Sequence, residues 1–222
     1  MCGRFSLGVD TDRLIAEFGI DTVAAPHQPR YNIAPTQPVP AVVRGEDGLR
    51  LGALRWGLVP HWADDPAMGG RMINARSETV DRKPAFEESF RHRRCWVLAD
   101  GFYEWKDEAG RKIPIHFRLP DGRPFAFAGL WDRWRRGDDE LVSCAILTTE
   151  PSDEVRPVHD RMPVILHESD RARWLDPDAG PADLKALLRP YPDPLAARRV
   201  STRVNRPEND DPSLVEPSPP EA

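Results

Sequence analysis

The second residue of the chain is a cysteine, and the chemistry open to it depends on the first. Initiator Met is generally removed when the next side chain is as small as Cys, which would leave Cys2 with an amine and a thiol on adjacent carbons. An α-amine titrates at about 7.7–8.0 and a thiol at about 8.5, so a usable fraction of each is nucleophilic near neutral pH. An aldehyde is the natural target of such a pair. The amine condenses with the carbonyl as a Schiff base, and the thiol then adds to the same carbon and closes a five-membered thiazolidine. That second step is intramolecular, with an effective molarity on the order of 10⁵ M or more. Position alone favours the ordinary explanation, a small residue with no chemical role.

Three polar residues in apolar or tightly structured segments shift that balance. Glu104 lies in Asp100-Gly101-Phe102-Tyr103-Glu104-Trp105, at the end of an apolar strand and between aromatics. A carboxylate desolvated in this way has a raised pKa and exchanges protons near neutrality; an exposed strand-end Glu is the equal alternative. His159, in Pro157-Val158-His159-Asp160-Arg161-Met162-Pro163, titrates in the range that lets it pass a proton either way, although a satisfied turn His is the commoner fate of a lone imidazole. Asn74 stands in Ile73-Asn74-Ala75-Arg76-Ser77-Glu78; its amide donates and accepts without changing charge, and it fits a helix N-cap almost as well. Arg76 could hold a phosphate. Among the tryptophans, Trp62 and Trp105 sit beside polar turns and suit stacking on unpaired bases, whereas Trp56 and Trp131 read as core.

The elements that must position these residues are mostly strands. Strand-like runs occur at 40–43, 49–56, 95–99, 113–119, 125–130, 142–149 and 162–166. A short amphipathic helix is expected at 10–18, with Leu14, Ile15 and Phe18 on one face behind Asp10 and Thr11. Further helical stretches are expected at 77–81, 84–91, 152–155, 169–174 and 182–188, and residues 24–40, with five prolines, read as an ordered loop. The class is α+β with a largely antiparallel sheet.

The chain has 222 residues, enough for one compact domain. Neither a signal peptide nor an apolar run of membrane-spanning length is present, so a cytoplasmic protein with no membrane partner is expected. Cys2, Cys95 and Cys144 are odd in number and widely spaced, which favours neither a disulfide framework nor a zinc site; no metal or cofactor is expected. The net charge of −5 resides in residues 207–222, where five acids stand with no base and five prolines; the remaining body is balanced. That stretch is expected to be a disordered tail beyond a domain of residues 1–206. A balanced body argues against a duplex-DNA binder that relies on phosphate charge alone. The bases are 27 Arg and 4 Lys, and Arg suits bidentate phosphate contacts and stacking, although an Arg-biased genome explains the bias equally well.

Met1-Cys2-Gly3-Arg4-Phe5, Tyr31-Asn32-Ile33-Ala34-Pro35-Thr36, Trp56-Gly57-Leu58-Val59-Pro60, Asn74-Ala75-Arg76-Ser77-Glu78, Gly101-Phe102-Tyr103-Glu104-Trp105 and His159-Asp160-Arg161-Met162-Pro163 together resemble the SOS-response-associated peptidase (SRAP) family in order and spacing. The resemblance extends to Val200-Ser201-Thr202-Arg203-Val204-Asn205. It implies a single α+β domain with a branched, largely antiparallel β-sheet and short helices around it. It further implies a sensor of abasic sites in single-stranded DNA that crosslinks to them as a thiazolidine, associated with the nucleoid on damage. By that likeness Cys2 is the nucleophile, Asn74 orients its amine and the sugar, Glu104 moves protons around the Schiff base, and His159 assists ring opening. Arg4, Arg76 and Arg161 would hold phosphates, and Pro35, Trp62, Trp105 and Thr148 would line the DNA groove. The family name also implies a peptidase activity, for which the sequence shows no separate Ser/His/Asp set or metal motif. The acidic tail, and His61 where some members place a second aromatic, depart from the family pattern. A self-processing thiol peptidase and a noncovalent single-strand-binding module are the competing readings, and a monomer is expected.

Overall fold

The computed structural model describes residues 2–218. In chain order the elements are β1 (Phe5–Leu7), α1 (Thr11–Phe18), β2 (Thr22–Val23), β3 (Arg30–Ile33), β4 (Pro38–Gly45), β5 (Gly48–Trp56) and β6 (Asn74–Arg76). There follow α2 (Glu87–His92), β7 (Arg94–Ala99), β8 (Gly101–Glu108), β9 (Arg111–Arg118), β10 (Phe125–Arg136), β11 (Asp139–Thr149), β12 (Met162–Pro163), β13 (Ile165–Leu166), α3 (Glu168–Leu175), α4 (Pro181–Ala186) and β14 (Ala196–Arg199). Local chemistry accounts for the first helix. The Asp10 side chain accepts from Arg13 N–H, and Gly19, at φ +62°, closes the other end by donating to Ile15 O, as an αL cap requires. Leu14 and Phe18 are its buried face.

One sheet has the order β14-β9-β8-β1-β3 with every pairing antiparallel. The other runs β12-β11-β10-β7-β4-β5-β2. Because β11 also pairs in parallel with β5, Cys144 opposite Trp56, the strands β11, β10, β7, β4 and β5 follow one another round a closed circuit. β13 branches from β10 and β6 from β11. The fold is therefore α+β, mostly antiparallel and branched, with few short helices.

β1 is the element on which the site depends. It lies inside its sheet, between β8 and β3, with Phe5 opposite Phe102 and opposite Ile33. The Phe5 ring is fully buried, edge-on to Trp56 at 5.2 Å and to Phe127 at 5.8 Å between centroids. The chain end is thereby pinned three residues after Cys2.

Several expectations need correction. Residues 77–81 and 152–155 form turns rather than helices. The supposed loop at 24–40 contains β3, whose Asn32 and Ile33 are buried, because pairing with β1 outweighs the flanking prolines. Asn74 lies in strand β6, not at a helix cap. The segment expected to be a disordered tail is laid down on the domain as far as residue 218, with a 3-10 turn at Pro212–Val215; residues 219–222 lie outside the described residues. Composition misled because Leu214 is a buried anchor packed with Tyr103, Val200 and Val204. Two of the acids are also matched: Asp210 accepts from Tyr31 N–H (2.5 Å) and Asn32 N–H (3.1 Å) on the open edge of β3 and pairs with Arg30 at 2.5 Å, and Asp211 pairs with Arg203 at 2.7 Å. An edge strand whose N–H groups are taken by a carboxylate cannot pair with another chain there.

Replacing Phe5 with Ala should cost about 3–5 kcal/mol of unfolding free energy, the range for truncating a buried aromatic. Trp62→Ala, at a ring 46% exposed, should cost well under 1 kcal/mol, roughly the surface range. Chemical denaturation of the two variants checks the contrast.

Candidate functional site

Pairing of β1 with β8 continues past the strand, as Tyr103 N–H donates to Arg4 O at 3.0 Å. This brings Cys2 alongside Glu104. The Cys2 thiol is 3.8 Å from Arg4 O, and Cys2 O accepts from Asn74 Nδ2 at 2.8 Å. Asn74 is held in place by β6, which lies parallel to β11 with Asn74 opposite Ile146. His159 comes from the turn before β12 and sets its Nε2 3.9 Å from Glu104 Oε2. The four residues singled out from sequence are thus brought together by four separate segments.

Glu104 is buried, 2% exposed. Alternation along β8 puts it on the face of Phe102 rather than that of Tyr103 and Trp105. Burial pushes its carboxyl up to about 7, with the nearby amino terminus opposing and Asp160 reinforcing the shift. Burial likewise pushes the Cys2 thiol well above its usual range, with Glu104 adding to the effect. In the chain still carrying Met1, Cys2 is fully buried and its sulfur is a thiol, not a thiolate. His159 is pushed down, chiefly by burial, towards the neutral ring. Its Nδ1 accepts from Arg161 N–H at 3.0 Å and lies 3.0 Å from Asp160 Oδ1. Two buried acceptors here, Asn74 Oδ1 and Glu104 Oε1, have no hydrogen-bond partner.

The opening to this cluster is a cleft of about 480 Å³ lined by Glu104, Trp105, Lys112, His159 and Asn205. Sequence reasoning gave no role to Lys112 or Asn205. Lys112 carries no local signal, being one of several charges in the β8–β9 hairpin. Asn205 belongs to a stretch noted only as part of the family likeness.

The residues expected to meet DNA divide into exposed and internally engaged groups. Arg76 and Trp62 are exposed, and Pro35 is half-buried beside Thr36, which adopts φ +71°. Trp105 is half-buried, its Nε1–H donating to Asn205 Oδ1 at 2.7 Å. Arg161 is paired with Glu78 and donates to Thr148 O at 2.6 Å, while Thr148 itself is buried. Arg4 Nη1 donates to Asn32 Oδ1 at 2.7 Å and Val204 O at 2.6 Å. Its guanidinium lies 5.9 Å from the Trp105 ring centroid, while its buried Nε has no partner. His61 is turned to the buried Asp132, which also holds Arg93, and so belongs to a structural network.

A Ser/His/Asp grouping that the sequence did not reveal lies deeper in the same sheet. Ser6 Oγ donates to Asp100 Oδ1 at 2.6 Å and lies 3.0 Å from His116 Nε2. Ser6 and His116 are sealed in the core, and burial pushes His116 down to about 3. The serine, not the imidazole, bridges the other two, which is the wrong order for a nucleophilic triad. Among the described residues no three His, Cys, Asp or Glu side chains gather as a metal site, and no helix is long and apolar enough to cross a membrane.

The architecture has counterparts among known proteins. Residues 1–207 match the family described as SOS response associated peptidase (SRAP). The chain is 42% identical to the abasic site processing protein YoqW of Bacillus subtilis (strain 168), over 97% of this chain and 99% of that one. It is 43% identical to the abasic site processing protein YoaM of the same organism, over 97% and 98%. A crystal structure of a protein from Bacteroides thetaiotaomicron superposes with a TM-score of 0.89 at 25% identity, covering 98% of this chain and all of that one. The chain belongs to the SRAP family.

The raised Glu104 carboxyl has a thermodynamic consequence. The folded chain retains a proton that the unfolded chain releases above its ordinary value of 4.5, so stability is greatest below that pH and declines as pH rises towards about 7. Urea titrations across this window should show a flatter slope for Glu104→Gln; an unchanged slope would assign the proton to another group.

Proposed function

We propose that the chain captures abasic sites in single-stranded DNA covalently, through Cys2 freed of Met1. What carries the reading is the pair of unpartnered acceptors, Asn74 Oδ1 and Glu104 Oε1, beside the one residue that acquires three donors when its amine is released. A buried acceptor without a donor costs roughly 1–3 kcal/mol, and an amine at Cys2 supplies the missing hydrogens. The names of the relatives YoqW and YoaM, abasic site processing proteins, fit the same substrate.

The chemistry balances around Glu104. His159 shuttles the proton that opens the closed sugar to its aldehyde. The Cys2 amine attacks the aldehyde carbon, and the carbinolamine hydroxyl takes the Glu104 proton and leaves as water, giving a protonated imine. The Cys2 thiol then passes its proton to the Glu104 carboxylate while sulfur bonds to the imine carbon, closing the thiazolidine and returning Glu104 to its protonated form. A thiol with a raised pKa needs such an acceptor at the moment of attack. Asn74 holds the Cys2 carbonyl and orients the amine.

On this reading Arg76 meets a phosphate, Trp62 and Trp105 offer faces to bases, and Pro35 borders the groove. Arg161 reaches a phosphate only by loosening its pair with Glu78, and buried Thr148 acts by seating Arg161. Arg4 reaches a phosphate only by loosening its bonds to Asn32 and Val204. The chain acts as a monomer on cytoplasmic, nucleoid-associated DNA.

Single-stranded DNA bearing one abasic site should form a conjugate that survives denaturing electrophoresis. Cys2→Ala should form none, Cys2→Ser only an imine trapped by borohydride, and Glu104→Gln a conjugate about 10²-fold more slowly. Equal conjugation by Cys2→Ala contradicts the reading. Salt-sensitive binding of undamaged strands without conjugate identifies a noncovalent module, and Cys2-dependent peptide cleavage without DNA identifies a peptidase.

A further inference from the structure

The segment after β14 is not a passive tail, and its contacts converge on the cleft. Val204, at 0% exposure, ends up beneath Arg4: its carbonyl accepts from Arg4 Nη1 at 2.6 Å and from Asn32 Nδ2 at 3.2 Å. Asn32, buried in β3, also reaches Arg206 O at 3.0 Å and Asn209 O at 2.7 Å, while its Oδ1 receives Arg4 Nη1 at 2.7 Å. One asparagine amide thus ties β3, the residue two places after Cys2, and the C-terminal segment into a single knot. The next residue, Asn205, closes the 3-10 turn Thr202–Asn205 and accepts from the Trp105 indole at 2.7 Å. The Arg4 guanidinium, on the same knot, lies over the Trp105 ring.

Trp105 is accordingly held twice. Its ring edge is fixed by a hydrogen bond from Nε1, and one face is set against the Arg4 guanidinium in a cation–π arrangement. An indole held only by its own rotamer swings about two side-chain bonds and loses that freedom when a base stacks on it. An indole already held in its bound orientation binds without that entropic cost.

We infer that the segment 200–210 forms a wall of the DNA cleft and that Asn205 is a positioning residue, fixing the plane of Trp105 as the platform on which a base next to the lesion stacks. The ligand it serves is the unpaired base face of a single strand, read without regard to sequence. This rests on the single-strand reading above but not on the covalent step. Asn32 supports the arrangement from behind by holding the segment to β3, and Arg4 backs the ring.

The test uses Asn205→Ala and Trp105→Ala, singly and together, in the full-length chain. Asn205→Ala should move the Trp105 indole N–H resonance, identified by its absence in Trp105→Phe. It should also weaken binding of an undamaged single-stranded oligonucleotide by about three- to tenfold, the range for one hydrogen bond. The dependence of affinity on salt should stay unchanged, since no phosphate contact is removed. In the Trp105→Ala background the same substitution should change affinity less than about twofold, because its effect passes through the ring. Three results overturn the inference: an unmoved indole resonance, equal weakening in both backgrounds, or a fall in the salt slope by about 0.7, the signature of a lost phosphate contact. If the coupling appears but the wild-type chain forms no conjugate with abasic DNA, the covalent reading fails and this arrangement stands; a wild-type chain that binds no single strand overturns both.

Discussion

Chain ends fray, and a reaction that uses the first residues of a chain has to overcome that tendency. In this protein the counterweight is the burial of Phe5. Its ring fills a gap among Trp56, Phe102 and Phe127, and its strand lies between two others instead of at an edge. A buried Phe contributes about 1.5–3 kcal/mol through its apolar surface alone, enough to hold a three-residue strand that could not persist by itself. Cys2 stands three residues before that anchor, with Arg4 O held by Tyr103 N–H and the Cys2 carbonyl held by Asn74 Nδ2. Remove the anchor and the other members of the cluster have nothing to act on.

The same burial tunes the chemistry. Desolvation raises the Glu104 carboxyl to about 7 and lowers His159, so a protonated acid and a neutral imidazole face each other across 3.9 Å near neutral pH. Two titratable groups moved in opposite directions by one environment can divide proton donation and acceptance between them. A fully ion-paired carboxylate could not do this. Among the described residues Arg4, Arg76 and Arg161 form no ion pair with Glu104; Arg4 and Arg161 engage Asn32, Val204, Glu78 and Thr148 instead.

Much of this was legible from residue order. The helix at Thr11–Phe18 announced itself through Asp10 and the spacing of Leu14, Ile15 and Phe18, and the long strands β5, β7, β10 and β11 through their apolar runs. Cys2 stood out by its place behind the initiator Met, and Asn74, Glu104 and His159 as polar residues where filler is not expected; the four do converge. What stayed hidden depends on contacts between residues far apart in the chain. β3 looked like a loop because its pairing with β1 is invisible in a Pro-rich stretch. The final segment looked disordered because the partners of Asp210 and Leu214, namely β3 and Tyr103, lie more than a hundred residues earlier. Asn32 and Asn205 acquire meaning only once those segments are seen to meet.

The central claim is that amine and thiol of one residue end on the same sugar carbon. Single-stranded DNA carrying an abasic site labelled with ¹³C at the aldehyde carbon, mixed with the protein and followed by carbon NMR, reads that bond directly. The account predicts that the signals of the closed sugar give way to a single saturated carbon bonded to both nitrogen and sulfur, and that ¹⁵N-labelled Cys2 splits it. A carbon that remains an imine, or that couples to the nitrogen of a lysine instead, would contradict it.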